Sequence, residues 1–162
     1  NGGYLLTVFG FQNAGIIFRA LATLIAAVSL LGLFRAPLTW SYIGAGLKLG
    51  LLALLFGQIM SLPIFKLGIA ALHFMFLGGF TLITFLISTR VMLAHGGQSL
   101  DYEVSSRRIA LVTCLIFLAA AFRLFSGLNP LSGWILISFC LLSFAVILWG
   151  AKFISILTKA SS

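Results

Sequence analysis

Apolar residues in this chain come in long runs, parted by short clusters of Arg, Pro, Gly, Ser and Asn. Strands would alternate, and a surface helix would carry an apolar stripe. Runs of about 18 residues are instead the signature of helices crossing roughly 30 Å of hydrocarbon. Five such runs lie near 16–34, 40–60, 67–92, 109–125 and 134–157. The opening stretch, 1–13, is apolar but short and glycine-broken, and reads as the end of a preceding helix. Pro63 and Pro130 fall in connections, where proline punctuates without breaking a helix. One connection is long and polar, HGGQSLDYEVSSRR from His95 to Arg108. The others are about 3–8 residues, the length that joins antiparallel neighbours in a bundle. The pattern predicts an all-α integral membrane helical bundle of about five transmembrane helices, forming one domain over residues 1–162.

Composition agrees and removes a soluble fold. Of 162 residues 62% are hydrophobic and 7% charged, against about 25% charged in a soluble domain. A lipid bilayer is therefore the expected surroundings. Ten Lys+Arg stand against two Asp+Glu, for a net charge of +8. The cations are spread thinly between apolar runs, so they mark topology rather than a nucleic-acid partner. Five spans place Arg35, Arg90, Arg107, Arg108, Lys152 and Lys159 on one side. Lys66 lies on the other, with Arg19 and Arg123 just inside the helix ends. The richer side is assigned to the cytoplasm, which makes the C-terminus cytoplasmic. Trp40, Trp134 and Trp149 lie near span ends, as interfacial anchors do. Cys114 and Cys140 sit inside apolar runs and read as small buried hydrophobes, not as a disulfide.

Few side chains could carry chemistry. Both histidines belong to the third span, His73 about two turns into it and His95 just past its other end. In a uniform α-helix they would stand about 33 Å apart and differ by only ~40° around the axis. They share a face at opposite depths and cannot bind one metal ion. An intramembrane histidine is costly and usually functional; the structural alternative for His73 is a bond to a neighbouring helix. The chain does not offer the three or four ligands of a zinc site. Haem iron needs only one or two axial ligands. Two lone histidines therefore suit haem, or haem plus copper completed by another segment. Arg123 lies level with Arg19, Lys66 and His73, with no acid on that side. Such cations either snorkel to the interface or face an anionic group such as a haem propionate. Gly78-Gly79 allows close approach of a flat ligand or of another backbone. Gly46-x-x-x-Gly50 is a candidate helix-contact face. No nucleophile–His–acid set, phosphate loop or carboxylate pair is present.

The third span and its loop, ALHFMFLGGFTLITFLISTRVMLAHGG, resemble the NnrS family of bacterial membrane proteins. Leu72-His73, Gly78-Gly79, Thr89-Arg90 and Ala94-His95-Gly96 fall at the family's matching places, and LAAAFRLF carries Arg123 at the corresponding arginine. The likeness runs over roughly 47–157. It departs at Ala94 and Gly97, which replace a glycine and a threonine, and at Gln98, where an arginine is usual. The resemblance implies a multi-pass protein of the bacterial inner membrane that binds haem and copper and takes part in nitric oxide metabolism or protection from nitrosative stress. It implies His73 and His95 as metal ligands, with Arg90, Arg123, Gly78 and Gly79 beside the cofactor. Full members are about twice this length, so the chain is expected to be their C-terminal part, with further ligands supplied by a missing N-terminal half. Two other readings remain open: a cofactor-free transport or scaffold segment, and a b-type haem electron-transfer subunit.

Overall fold

The computed structural model describes residues 10–29, 41–97, 101–129 and 132–160. Arg35, Trp40, Gln98 and Pro130 lie outside the described residues, as do most of the opening stretch and the side chain of Lys159. Among the described residues there are helices and no strands: α1 (Gln12–Ser29), α2 (Tyr42–Met60), a 3-10 turn (Pro63–Phe65), α3 (Gly68–His95), a short α4 (Asp101–Ser105), α5 (Arg107–Leu128) and α6 (Ser132–Ala160). Five of them are long and apolar enough to cross a membrane. The protein is a multi-pass membrane protein.

Local chemistry sets the boundaries. The Ser41 hydroxyl accepts from the Gly44 N–H at 3.0 Å and starts α2, satisfying one of the donors that a helix start leaves free. Pro63 opens the 3-10 turn, and Lys66 ends it with φ of 53°. At the far end of α3, Gly97 takes φ of +63°, a left-handed backbone that glycine adopts without strain and that stops the helix after His95.

Packing divides the bundle into a centre and a periphery. α2, α3 and α5 pack on one another; α1 leans on α2, and α6 covers α5 and the later half of α3. The main core joins Ile43 of α2, Leu82 and Leu86 of α3, Ile116 of α5 and Phe153 of α6. A smaller cluster joins Ala53, Phe74 and Ala120. The outer helices show their apolar residues outwards, Ile17, Phe18 and Ile25 on α1 and Leu136, Phe139 and Ile147 on α6. In water such faces would aggregate; in a bilayer they meet hydrocarbon.

Lipid tails are as apolar as leucine, so small residues and interhelical hydrogen bonds hold the helices together. α2 presents Gly46, Gly50, Ala53 and Gly57 to its neighbours. A methyl group on Gly57 would stand 2.7 Å from Met75 Cβ and 2.9 Å from Met75 Cα, and one on Gly50 would meet Ile83 at 2.7 Å. The Gly46-x-x-x-Gly50 seam is thus a contact face along α3. Each peripheral helix is also tied by a hydrogen bond. Gln58 Nε2 donates to Thr23 Oγ1 at 3.1 Å between α2 and α1. Ser138 Oγ donates to the Ala119 carbonyl at 2.6 Å between α6 and α5.

Three expectations need correction. Cys114 and Cys140 are exposed rather than buried; they occupy outward faces of α5 and α6, where the surroundings are lipid and burial against protein is not needed. Trp149 does not stand free at its span end. It is half-buried, with its ring 5.0 Å from Phe85 and 5.8 Å from Phe153, because its indole N–H is engaged by α3. The third span is not a uniform α-helix, for residues Met75–Thr81 form a π-helix.

Candidate functional site

His73 lies in the second turn of α3, immediately before the π-helical segment. Its Nδ1 is 2.7 Å from the Ile69 carbonyl oxygen. A carbonyl can only accept, so Nδ1 carries the proton and donates. In the neutral ring this leaves the lone pair on Nε2. His95 repeats the arrangement in the last turn, donating from Nδ1 to the Val91 carbonyl at 2.9 Å. Both imidazoles are therefore fixed by the turn that precedes them. A metal-binding histidine is oriented in this way, with one ring nitrogen held by an acceptor and the other left to ligate.

The π-helix alters the uniform α-helical geometry expected of α3. An i→i+5 turn takes in one residue more than an α turn, so the ~40° offset calculated for an unbroken helix no longer applies. The buried face gives a better reference. Ala71 and Leu93 are both buried against the bundle, and each histidine follows one of them by two residues. Both imidazoles thus leave α3 away from its packed stripe, at opposite ends of the helix. His73 is half-buried and His95 exposed.

Gly78 and Gly79 lie inside the π-helix and are buried. A methyl group on Gly78 would fall 3.2 Å from both Ala53 Cβ and Ala120 Cβ. One on Gly79 would run into the Leu54 side chain. Of the two uses of this glycine pair, the structure shows the close approach of neighbouring helices.

Arg123 stands near the end of α5 and is half-buried. Its Nη1 donates to Ser126 Oγ at 3.1 Å, and Ser126 Oγ donates back to the Arg123 carbonyl at 2.7 Å. The guanidinium has five N–H donors, so this bond leaves others to aim elsewhere. The register of α3 on α5 is fixed at two points. A methyl on Gly127 would meet Ala70 Cβ at 2.5 Å, and one on Gly78 would meet Ala120 Cβ at 3.2 Å. His73 and Arg123 both fall between these contacts, so they share one level on adjacent antiparallel helices. The Gln58–Thr23 bond brings Arg19 to the same end of the bundle, where the exposed Lys66 also lies. Arg90 is exposed near the other end of α3, in the half that carries His95.

The structure thus gathers His73, Arg123, Arg19 and Lys66 at one end, with His95 and Arg90 at the other. An apolar groove of about 310 Å³ runs between α2, α3 and α5, walled by Leu49, Leu52, Phe56, Phe74 and Phe117. Phe74 adjoins His73 in sequence and packs edge-on to Phe56 and Phe117, with ring centroids 5.6 and 5.9 Å apart. Sequence reasoning missed both the groove and the π-helix.

Among the described residues no three His, Cys, Asp or Glu side chains gather closely enough to hold a metal ion. The donor set therefore does not form a self-contained three- or four-ligand site. It does fit single-histidine ligation from either end of α3, which is what a haem iron asks of a protein.

Helices of this length and apolarity, with two carbonyl-fixed histidines at the ends of a π-interrupted span, define a multi-pass helical membrane protein with candidate metal-ligating positions. The chain belongs to the NnrS family: the family described as NnrS protein matches residues 3–161, essentially the whole chain. The match reaches well N-terminal of the 47–157 likeness read from the motifs. No match is found among curated proteins or among solved structures.

Proposed function

We propose that this NnrS-family chain is the C-terminal part of a haem- and copper-binding protein of the bacterial inner membrane, with a cytoplasmic C-terminus, that metabolises nitric oxide or protects metal centres from it. The observation that carries this reading is the pair of Nδ1–H bonds to Ile69 and Val91, which leaves Nε2 of each histidine as the ligating atom. A bound haem would supply an iron centre able to take a small neutral molecule and one electron. The chain's own contribution is orientation and charge. Ile69 holds the His73 ring, and Arg123, Arg19 and Lys66 offer positive charge at that end to anionic propionates. His95 offers one imidazole to a copper ion whose other ligands come from outside the described residues, since imidazole suits that metal.

A reduced-minus-oxidised visible spectrum with metal analysis, taken on the full-length protein in detergent, tests the proposal. The expected result is a b-type haem signal that disappears in His73→Ala and persists in His95→Ala, with copper lost only in the second variant. A flat spectrum in the full-length protein would leave the cofactor-free scaffold reading standing.

A further inference from the structure

A second polar place lies inside the bundle, away from both histidines. Between α3, α5 and α6 is a narrow cavity with about 10 Å³ of room for the centre of a water-sized sphere. Its walls are apolar at Leu86, Ile116 and Phe153 and polar at Thr89, Thr113 and Trp149. Thr113 is 9% exposed, and its Oγ1 is buried without a hydrogen-bond partner. The other buried or half-buried threonines with defined bonds behave differently. Thr23 Oγ1 donates to the Arg19 carbonyl at 2.9 Å, and Thr89 Oγ1 to the Phe85 carbonyl at 2.7 Å. Thr113 does not bond back to its own helix in this way. A hydroxyl buried between packed helices has no bulk water to turn to, and leaving it without a partner is costly.

We infer that this cavity is a binding site for one structural water molecule, held by Thr113 and Thr89. The size is close to the ~10–15 Å³ that a single water needs on this measure, and a buried water needs two to four polar partners. The hydrogen-bond valences provide two. Thr113 Oγ1 has a proton to give, and the water oxygen accepts it. Thr89 Oγ1 donates to Phe85 and accepts from Trp149 Nε1 at 2.8 Å, and a hydroxyl oxygen has a second lone pair, which the water fills. The result is a continuous polar chain, Trp149 to Thr89 to water to Thr113, linking α6, α3 and α5 across an otherwise dry core. The cavity is too small for any flat cofactor, so this site stands apart from the haem proposal.

Water-edited solid-state NMR on the protein in lipid bilayers, with labelled threonine methyls and tryptophan side chains, reads the site directly. Rapid magnetisation transfer from water is expected at the Thr113 and Thr89 methyls and at Trp149 Nε1–H. Thr113→Val should abolish the transfer at Thr89 and Trp149, while Thr113→Ser, which keeps the hydroxyl, should retain it. Absence of transfer in the unaltered protein would overturn the inference, as would its survival in a Thr113→Val variant with unchanged helical circular dichroism. If Thr113→Val does not fold, the unaltered protein decides: transfer at all three groups supports the site, and its absence removes it.

Discussion

Trp149 Nε1 donates to Thr89 Oγ1 at 2.8 Å, joining α6 to α3 across sixty residues of sequence. The Thr89 hydroxyl is buried and passes its own proton to the Phe85 carbonyl. One side chain thus caps a carbonyl and receives an indole. Trp149→Phe should weaken the bundle by removing one partner, and Thr89→Val should do so by stranding the indole N–H. A double-mutant cycle should return a coupling of about 0.6 kcal/mol, with ~1.7 kcal/mol as the upper end for such bonds in membranes. Reversible unfolding in mixed micelles measures it, and additive single effects would refute the pairing.

The small-residue seam makes a sharper forecast. Gly57→Ala places a methyl against the Met75 backbone, which has no flexible end to yield. It should destabilise by about 1–3 kcal/mol, as overpacking does. Gly133→Ala meets nothing within 4 Å and stands in the first turn of α6, so it should be close to neutral, short of the roughly 0.5–1 kcal/mol gained in a helix interior. Equal behaviour of the two variants in the same unfolding assay would contradict the packing described for α2.

The histidine geometry has a spectroscopic signature that needs no cofactor. Nitrogen-15 shifts of the neutral rings should show Nδ1 protonated and Nε2 bare at both His73 and His95. A dominant Nε2–H tautomer would mean that the bonds to Ile69 and Val91 are not made, and would remove the structural support for metal ligation.

Arg123 can be tested through retention of haem by the full-length protein. Arg123→Ala should lower haem content severalfold, and Arg123→Lys less, because lysine keeps the charge but not the planar fork. Unchanged content and spectrum in Arg123→Ala would leave the arginine as a snorkelling side chain.

Hydropathy alone located five spans because the free-energy cost of a charge in lipid punctuates the sequence strongly. Arg107 and Arg108 begin α5, and the Gly96-Gly97 pair follows the end of α3. The Gly46–Gly50 seam was also legible, since little but close helix contact rewards repeated glycine on one face. What stayed hidden depends on partners distant in sequence. The place of Trp149 is decided by Thr89 and Phe85, which no local window contains. The exposure of Cys114 and Cys140 follows from which helices end up outermost. Hydropathy carries no sign of helical pitch, so the π-helix was invisible even though the span containing it was plain.

A π-helical turn is geometrically an α-helix with one residue too many, and α3 carries that surplus between Met75 and Thr81. Removing a single residue there would let the segment relax to ordinary pitch. The wider turn is what absorbs the surplus residue, so the His73 and His95 ends would keep nearly the angular setting they have now. That setting is therefore carried by residue number and helical pitch together. A one-codon deletion in the regular stretch after Leu82, which has no surplus to give up, would instead turn one imidazole by about 100° against the other with both histidines intact.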